Sequence, residues 1–177
     1  MMTTELLIQS VLLIGIISAG VTDVRSSRVP NGITFSLALV GLGFHTISDS
    51  GNGILFSLEG LGLGLVLLLG FYVYGGMGAG DVKLLAAIGA VVGPLNIFVG
   101  FLFASLLGGL YAVAMMVWHL GLAGTAERIK IILVSMVFMK VNVTDSLEQT
   151  TLPKLRYALV IGLGTLIGQG YQWFQVV

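Results

Sequence analysis

Apolar residues come in six runs, separated by short polar or glycine-rich segments. A helix that crosses a bilayer needs about 20 consecutive, mostly apolar residues. We therefore expect an all-α, polytopic membrane protein: six transmembrane helices packed as one compact bundle, with residues 1–177 forming a single domain. The runs predict spans at Leu6–Thr22, Gly32–Ile47, Ile54–Tyr74, Val82–Val92, Leu95–Trp118 and Tyr157–Phe174.

The fourth run, Val82–Val92, is short for a span. Its eleven residues would give a helix of about 16 Å, at 1.5 Å per residue, whereas the apolar core of a bilayer is about 30 Å thick. Either the helix begins inside the preceding glycine-rich stretch, or protein rather than lipid covers its ends. A shorter apolar segment, Ile131–Met139, predicts an interfacial or re-entrant amphipathic helix before the last span.

The first run has a second interpretation, because small residues at Ile17–Gly20 resemble a signal-peptide cleavage site. Signal peptides carry a basic n-region. Met1–Glu5 contains no basic residue, which favours a transmembrane helix.

Composition supports a membrane protein. The chain is 56% hydrophobic and 9% charged, whereas a soluble domain is about 25% charged. Its net charge of zero argues against a nucleic-acid partner. The absence of cysteine excludes disulfides, thiolate nucleophiles and cysteine zinc sites. The two histidines, His45 and His119, fall on opposite sides of the predicted bundle, so we expect no metal site.

The basic residues predict the orientation in the membrane. All eight follow predicted span one, three or five: Arg25, Arg28, Lys83, Arg128, Lys130, Lys140, Lys154 and Arg156. Lysine and arginine mark cytoplasmic loops, so both termini are expected outside the cytoplasm. Arg25 and Arg28 are expected to meet anionic lipid headgroups.

Small residues four positions apart predict where helices pack closely, because membrane helices associate through small residues. The pairs are Gly60/Gly64, Ala86/Ala90, Ala104/Gly108 and Gly164/Gly168.

Two aspartates stand at the predicted cytoplasmic side. Asp23 follows the first span, and Asp81 closes the glycine-rich stretch before the fourth. Two carboxylates about 3 Å apart cannot both ionise, so they share a proton and titrate as a pair. The ionised member can take a proton from water while the protonated member donates one. This is aspartic protease chemistry, and it needs no cofactor or metal.

The residues alone leave structural roles open for both acids. Asp23 would serve equally well capping a helix end or pairing with Arg25 or Arg28. Asp81 would serve as the N-cap of the fourth helix, where a carboxylate meets free N–H groups and the positive end of the helix dipole.

The motifs around the acids resemble the type IV prepilin peptidase family. Gly78-Ala79-Gly80-Asp81 matches the family's GxGD motif, and the similarity continues to Gly89. Asp23 is followed by Pro30-Asn31, which is similar to the continuation of the family's first aspartate. The resemblance implies that Asp23 and Asp81 are catalytic. It also implies loop or substrate support from Gly78, Gly80, Lys83, Pro30 and Asn31, although Lys83 would equally serve as a flanking lysine at the cytoplasmic side.

The resemblance further implies a function. The family removes the short basic leader of prepilins at the cytoplasmic face of the bacterial inner membrane, just before the prepilin's hydrophobic helix. The expected partners are therefore such a prepilin and membrane lipid, and an oligomer is compatible with the sequence. Without cysteine and with a short first loop, the chain looks like the peptidase-only branch found in tight-adherence pilus systems. The family's Pro-Tyr pair is split here between Pro153 and Tyr157, so no role is assigned to either.

Two other functions are weighed. In presenilin-like intramembrane proteases the first aspartate lies within a helix, whereas Asp23 is expected to open a loop. A membrane scaffold or transporter is the second rival, but a transporter would place polar groups at the midplane. The predicted spans offer only Glu59, which is expected near the interface or in a buried polar contact. The acids Asp145 and Glu148 are expected to be solvated.

Overall fold

The computed structural model describes residues 2–26, 28–48, 51–73, 77–138 and 157–176. These residues form helices and short connections, with no strand among them, which confirms the all-α prediction. The helices are α1 (Met2–Ser26), α2 (Asn31–Ser48), α3 (Gly53–Val73), α4 (Ala79–Val92), α5 (Pro94–Phe138) and α6 (Tyr157–Val176).

Three helices are long and apolar enough to cross a membrane: Leu6–Ser26, Gly53–Val73 and Pro94–His119. A shorter apolar helix covers Tyr157–Gly170. These helices support the prediction of a membrane protein. The number of six spans, the orientation and the location of the termini stay predictions.

The chain divides into two compact units. The first contains Met1–Leu107 and Arg156–Val177, and the second contains Gly108–Leu155. Single-domain organisation stays a prediction. In the second unit, Gly121 interrupts the helical backbone of α5 with φ 70° and ψ 173°, a conformation that glycine adopts without the steric cost of a Cβ. Helical backbone then continues to Phe138. The separate helix expected at Ile131–Met139 is thus the end of a longer helical segment, and Met139 lies outside the described residues.

Helix α4 is enclosed within the first unit. Its 14 residues give a length of about 21 Å, at 1.5 Å per residue. It packs against α2 and α3 and also contacts α1 and α6. From Val82 to Val92 every residue except the exposed Lys83 is buried. Both explanations for its shortness therefore hold: the helix begins inside the glycine-rich stretch, and protein covers it.

Glycines allow this close packing of α4. A Cβ added to Gly60 would overlap the carbonyl oxygen of Gly89. A Cβ on Gly64 would lie 2.6 Å from the oxygen of Leu85. On α2, a Cβ on Gly41 would lie 2.7 Å from the oxygen of Ala90. Backbone of α4 therefore meets backbone of both α3 and α2. The Gly60/Gly64 pair predicts the contact with α3, whereas the sequence did not predict the contact at Gly41.

The C-terminal end of α4 has all its free carbonyls bonded. The last four carbonyls of a helix lack intrahelical partners, and buried ones are costly when unpaired. One here bonds to the C-cap residue of the same helix, and the other three bond to side chains of other helices. The donors and acceptors are Gly93 N to Gly89 O at 2.8 Å, Ser57 Oγ to Ala90 O at 2.8 Å, His45 Nε2 to Val91 O at 2.8 Å, and Asn96 Nδ2 to Val92 O at 2.8 Å.

Helix α6 packs closely on the first part of α5. A Cβ on Gly164 would overlap the backbone of Ala104, and one on Gly168 would lie 3.0 Å from the nitrogen of Gly100. The small residues of the Gly164/Gly168 pair therefore lie at a helix contact, as predicted. Helix α6 also contacts α1, where Ile16 fills the space beside Gly162.

Candidate active site

Asp23 lies in the last turn of α1, not in a loop, so the sequence-based expectation is wrong on this point. Pro30 discourages helix only at the residue before it, which leaves the chain free to stay helical as far as Ser26. The hydroxyls of Thr22 and Ser26 bond to carbonyls of the preceding turn, so these polar residues are satisfied inside the helix. Asp23 is only 7% exposed.

The buried carboxylate of Asp23 has a backbone partner. Its Oδ2 accepts a hydrogen bond from the N–H of Ala158, with a donor–acceptor distance of 3.4 Å. Ala158 is the second residue of α6, where backbone N–H groups have no intrahelical acceptor. Asp23 therefore does cap a helix end, but the helix is α6. Arg25 and Arg28, the partners considered from the sequence, are both exposed.

Asp81 lies in the first turn of α4. The N-cap of this helix is Gly78, with φ −77° and ψ 147°, and the N–H of Asp81 donates to the Gly78 carbonyl at 3.1 Å. Asp81 is thus the third helical residue, and the alternative of Asp81 as N-cap is wrong. Its half-buried carboxylate lies at the positive end of the α4 dipole, which favours negative charge.

The first turn of α6 lies beside the end of α1. Ala158 bonds to Asp23, and the neighbouring Tyr157 packs against the core cluster that includes Val82, the residue after Asp81. Helix α6 also packs against both α1 and α4, the helices that carry the acids. The helices that carry Asp23 and Asp81, 58 positions apart in the sequence, therefore both meet α6.

The connection between α1 and α2 packs against the glycine motif. A Cβ added to Gly80 would lie 3.3 Å from the Cβ of Val29, so glycine lets the connection approach α4. Beside it, Nζ of Lys83 donates to Oδ1 of Asn31 at 3.1 Å. The Pro30 carbonyl accepts from the N–H of Ile33 at 3.1 Å and so begins α2. Lys83 from one motif and Asn31 from the other, both expected to support the acids, are thus in direct contact.

A protein-family comparison matches this region: residues 10–113 fit the type IV leader peptidase family. The chain belongs to the type IV leader peptidase family. The match covers more than half of the chain and includes both motifs, while α6 lies beyond it. Neither a curated protein nor a solved structure matches the chain significantly.

For other residues of this leader peptidase family member, the structure corrects some predictions and leaves others untested. Glu59 is exposed on α3, so the alternative prediction of a buried polar contact for Glu59 is wrong. Within the described part of the chain, no three residues of the metal-ligating types are grouped as a metal site, and independence from a cofactor stays a prediction. Pro153 and the loop acids Asp145 and Glu148 lie outside the described residues, as do Gly75 and Gly76.

Sequence reasoning missed two contributors. Ala158 received no role, yet its N–H bonds to Asp23. Ser57 was not singled out, although its hydroxyl bonds to the α4 carbonyl of Ala90. The periodicity of one helix says nothing about which distant helix it meets, so no local signal marked these residues.

Proposed function

We propose that the chain is an aspartic endopeptidase that removes the leader peptide of type IV prepilins, or of prepilin-like proteins, at the cytoplasmic face of the membrane. The observation that carries the proposal is that both acid-bearing helices contact α6, where Asp23 bonds to Ala158, in a chain of the leader peptidase family. In this function the two carboxylates form the catalytic pair.

The pair cleaves a peptide bond in two steps. In the first, the ionised carboxylate accepts a proton from a water molecule as the water oxygen attacks the scissile carbonyl carbon. The protonated carboxylate gives its proton to the carbonyl oxygen, which yields a neutral tetrahedral diol. In the second, the acid formed first protonates the leaving nitrogen and the C–N bond breaks. A diol hydroxyl returns its proton to the other carboxylate, so the pair recovers one shared proton.

The surroundings of the acids suit a peptide that meets the membrane at this depth. Gly78 is exposed and has no side chain, so an extended substrate backbone can approach the α4 N-terminus. Lys83, Arg25 and Arg28 are exposed, and basic residues of this kind mark the cytoplasmic side of membrane proteins. A prepilin presents its basic leader on that side, immediately before an apolar helix.

The test is direct cleavage. The purified protein in lipid nanodiscs is incubated with prepilins encoded beside its gene, and the N-termini of the products are sequenced. We expect one new N-terminus, immediately before the hydrophobic segment. Failure to cleave every such prepilin, or cleavage that persists after either aspartate is replaced by asparagine, would contradict the proposal.

A presenilin-like protease is the second candidate, and one observation favours it. Asp23 lies within a helix, which removes the argument from a loop aspartate. Such an enzyme cuts inside a transmembrane segment, so the same sequencing experiment separates the two functions. A product that begins within the apolar helix assigns presenilin-like cleavage, and one that begins before it assigns leader removal.

A further inference from the structure

Val29 is a buried residue in the connection between α1 and α2. Its neighbours Arg28, Pro30 and Asn31 are exposed, whereas Val29 is only 8% exposed and belongs to the core cluster of the first unit. Connecting segments are usually more mobile than the helices they join. This connection is instead anchored to the core by an apolar side chain, whose removal from water is favourable.

The backbone and the side chain of Val29 both lie against the glycine motif. A Cβ built on Gly80 would lie 3.3 Å from the Cβ of Val29, 3.4 Å from its nitrogen and 3.6 Å from its carbonyl oxygen. Two positions after Val29, Oδ1 of Asn31 accepts a hydrogen bond from Nζ of Lys83 at 3.1 Å. The connection is therefore held to the first turn of α4 by an apolar contact before Asp81 and a polar contact after it.

The contact between Val29 and Gly80 is a short physical path between the two acids. Asp23 lies six positions before Val29, and Gly80 immediately precedes Asp81. Along the chain, by contrast, the whole of α2 and α3 separates the acids. Because protein interiors are close-packed, a change in side-chain volume at such a contact is transmitted to the segments on both sides.

We propose that Val29 is a positioning residue for the catalytic pair: packed on Gly80, its side chain anchors the connection that follows Asp23 and so sets the separation of the Asp23 and Asp81 carboxylates. This inference rests on the proposed peptidase function. It gives a role in cleavage to an apolar side chain that has no acid–base chemistry of its own.

The separation of the carboxylates is measurable through the pH dependence of kcat. In the proposed mechanism the pair is active while it holds one proton. Two interacting carboxylates hold one proton over a pH range that widens as they come closer, because each negative charge opposes ionisation of the other group. A pair that has moved apart is therefore active over a narrower pH range, whereas a protein that is merely less stable keeps the width of its profile.

The test is Val29→Ala, which removes the two γ-methyl groups and changes no charge. Turnover of a leader-bearing prepilin in nanodiscs is measured against substrate concentration and pH, below the melting temperature of every variant. We expect kcat to fall about tenfold, within the loss of about 10²-fold that a misplacement of about 1 Å causes, while KM changes less than about twofold. The pH range of kcat should become narrower.

Val91→Ala is the matched control. It makes the same change at a valine that is 5% exposed and belongs to the same core cluster, but that lies near the other end of α4. The carbonyl of Val91 that bonds to His45 is retained. This variant should have a lower melting temperature and the wild-type pH range.

A second variant separates the shape of the side chain from its burial energy. Val29→Thr keeps the branching at Cβ but buries a hydroxyl, which is costly. It should lower the melting temperature and retain most of the wild-type kcat and the wild-type pH range. Wild-type kcat and pH range in Val29→Ala would overturn the proposal. A loss of kcat without a narrower range, an equal narrowing in Val91→Ala, or an equal loss of kcat in Val29→Thr would each assign a structural role and overturn it too.

The two proposals fail separately. Cleavage that requires both aspartates and is unaffected by Val29→Ala leaves the peptidase function intact and removes only the positioning role. Cleavage that depends on neither aspartate removes the peptidase mechanism itself.

Discussion

Asp23 and Ala158 are joined by a hydrogen bond of 3.4 Å between residues 135 positions apart in the sequence. The acceptor is a buried carboxylate at the end of α1, and the donor is a backbone N–H at the start of α6. Neither residue would complete this arrangement alone, because a buried carboxylate needs a donor and a buried helix N-terminus needs acceptors. The bond therefore makes the last helix part of the candidate active site.

The two aspartates are each expected to be essential for cleavage. Asp23→Asn and Asp81→Asn keep the size of the side chain and an acceptor oxygen but cannot share a proton with a carboxylate. We expect each to lower the cleavage rate by at least about 10²-fold, the usual contribution of general acid–base catalysis, measured as prepilin processing in nanodiscs.

Glu59→Gln is the control for these variants, because Glu59 is an exposed carboxylate on α3 with no part in the mechanism. It should process prepilin at the wild-type rate. All three variants should insert and melt like wild type. An Asp23→Asn protein that still cleaves would leave Asp81 without its proposed partner.

Gly80 is expected to be sensitive to side-chain size. A Cβ there would lie 3.3 Å from the Cβ and 3.4 Å from the nitrogen of Val29, so alanine requires a small shift and leucine a large one. We expect Gly80→Leu to lower kcat about 10²-fold, as a misplacement of about 1 Å does, and Gly80→Ala to have a smaller effect.

Gly32 supplies the comparison, because a Cβ there meets nothing within 4 Å. Gly32→Ala should leave kcat unchanged. If Gly80→Leu is as active as Gly32→Ala, close approach between the connection and the glycine motif is not required for activity.

The Gly60–Gly89 contact is expected to govern stability. A Cβ on either glycine would overlap a carbonyl oxygen of the other helix, and backbone cannot rotate out of the way as a side chain can. Gly60→Ala should lower the free energy of unfolding by about 1–3 kcal/mol, the usual cost of overpacking, measured by thermal unfolding in detergent. Gly62 is on the same helix, and a Cβ there meets nothing within 4 Å, so Gly62→Ala should keep the wild-type stability. A similar loss of unfolding free energy in both variants would exclude helix contact as the cause.

Ser57 is expected to stabilise the end of α4. Its hydroxyl is buried and donates to the Ala90 carbonyl at 2.8 Å, so Ser57→Ala leaves a buried acceptor unpaired. We expect a loss of about 1–3 kcal/mol in the free energy of unfolding. Ser10→Ala removes an exposed hydroxyl bonded within its own helix and should change stability by less than about 0.5 kcal/mol. Equal melting temperatures for the two variants would contradict this role of Ser57.

The sequence predicted the elements better than their ends and partners. Apolar runs located the six helices that the described residues form, since burial and lipid both demand long apolar stretches. The start of α4 lay three residues earlier than Val82, because glycine and alanine carry little local signal for a helix start. Asp23 was placed in a loop because a polar residue after an apolar run suggests an exit from the membrane. Its partner in α6 makes the buried helical position favourable.

The candidate site was likewise predictable only where a motif marked it. Asp23, Asp81 and Gly80 could be named from motif spacing and family resemblance. The Lys83–Asn31 hydrogen bond joins two named residues, but nothing in either motif specified their contact. Ala158 carries no side-chain signal, and its contact with Asp23 depends on how α6 enters the bundle, which is a property of tertiary packing.

The fully bonded C-terminal end of α4 acts as a fixed reference point for the acid at the other end of the helix. Three side chains bond to the carbonyls at the C-terminal end of α4 and fix that end in place. The position and orientation of Asp81 are therefore set by contacts as far as Val92, eleven positions away. Adding one residue between them would turn Asp81 by about 100° and displace it by about 1.5 Å. The number of residues in this short helix is therefore as tightly constrained as the identity of the acid itself.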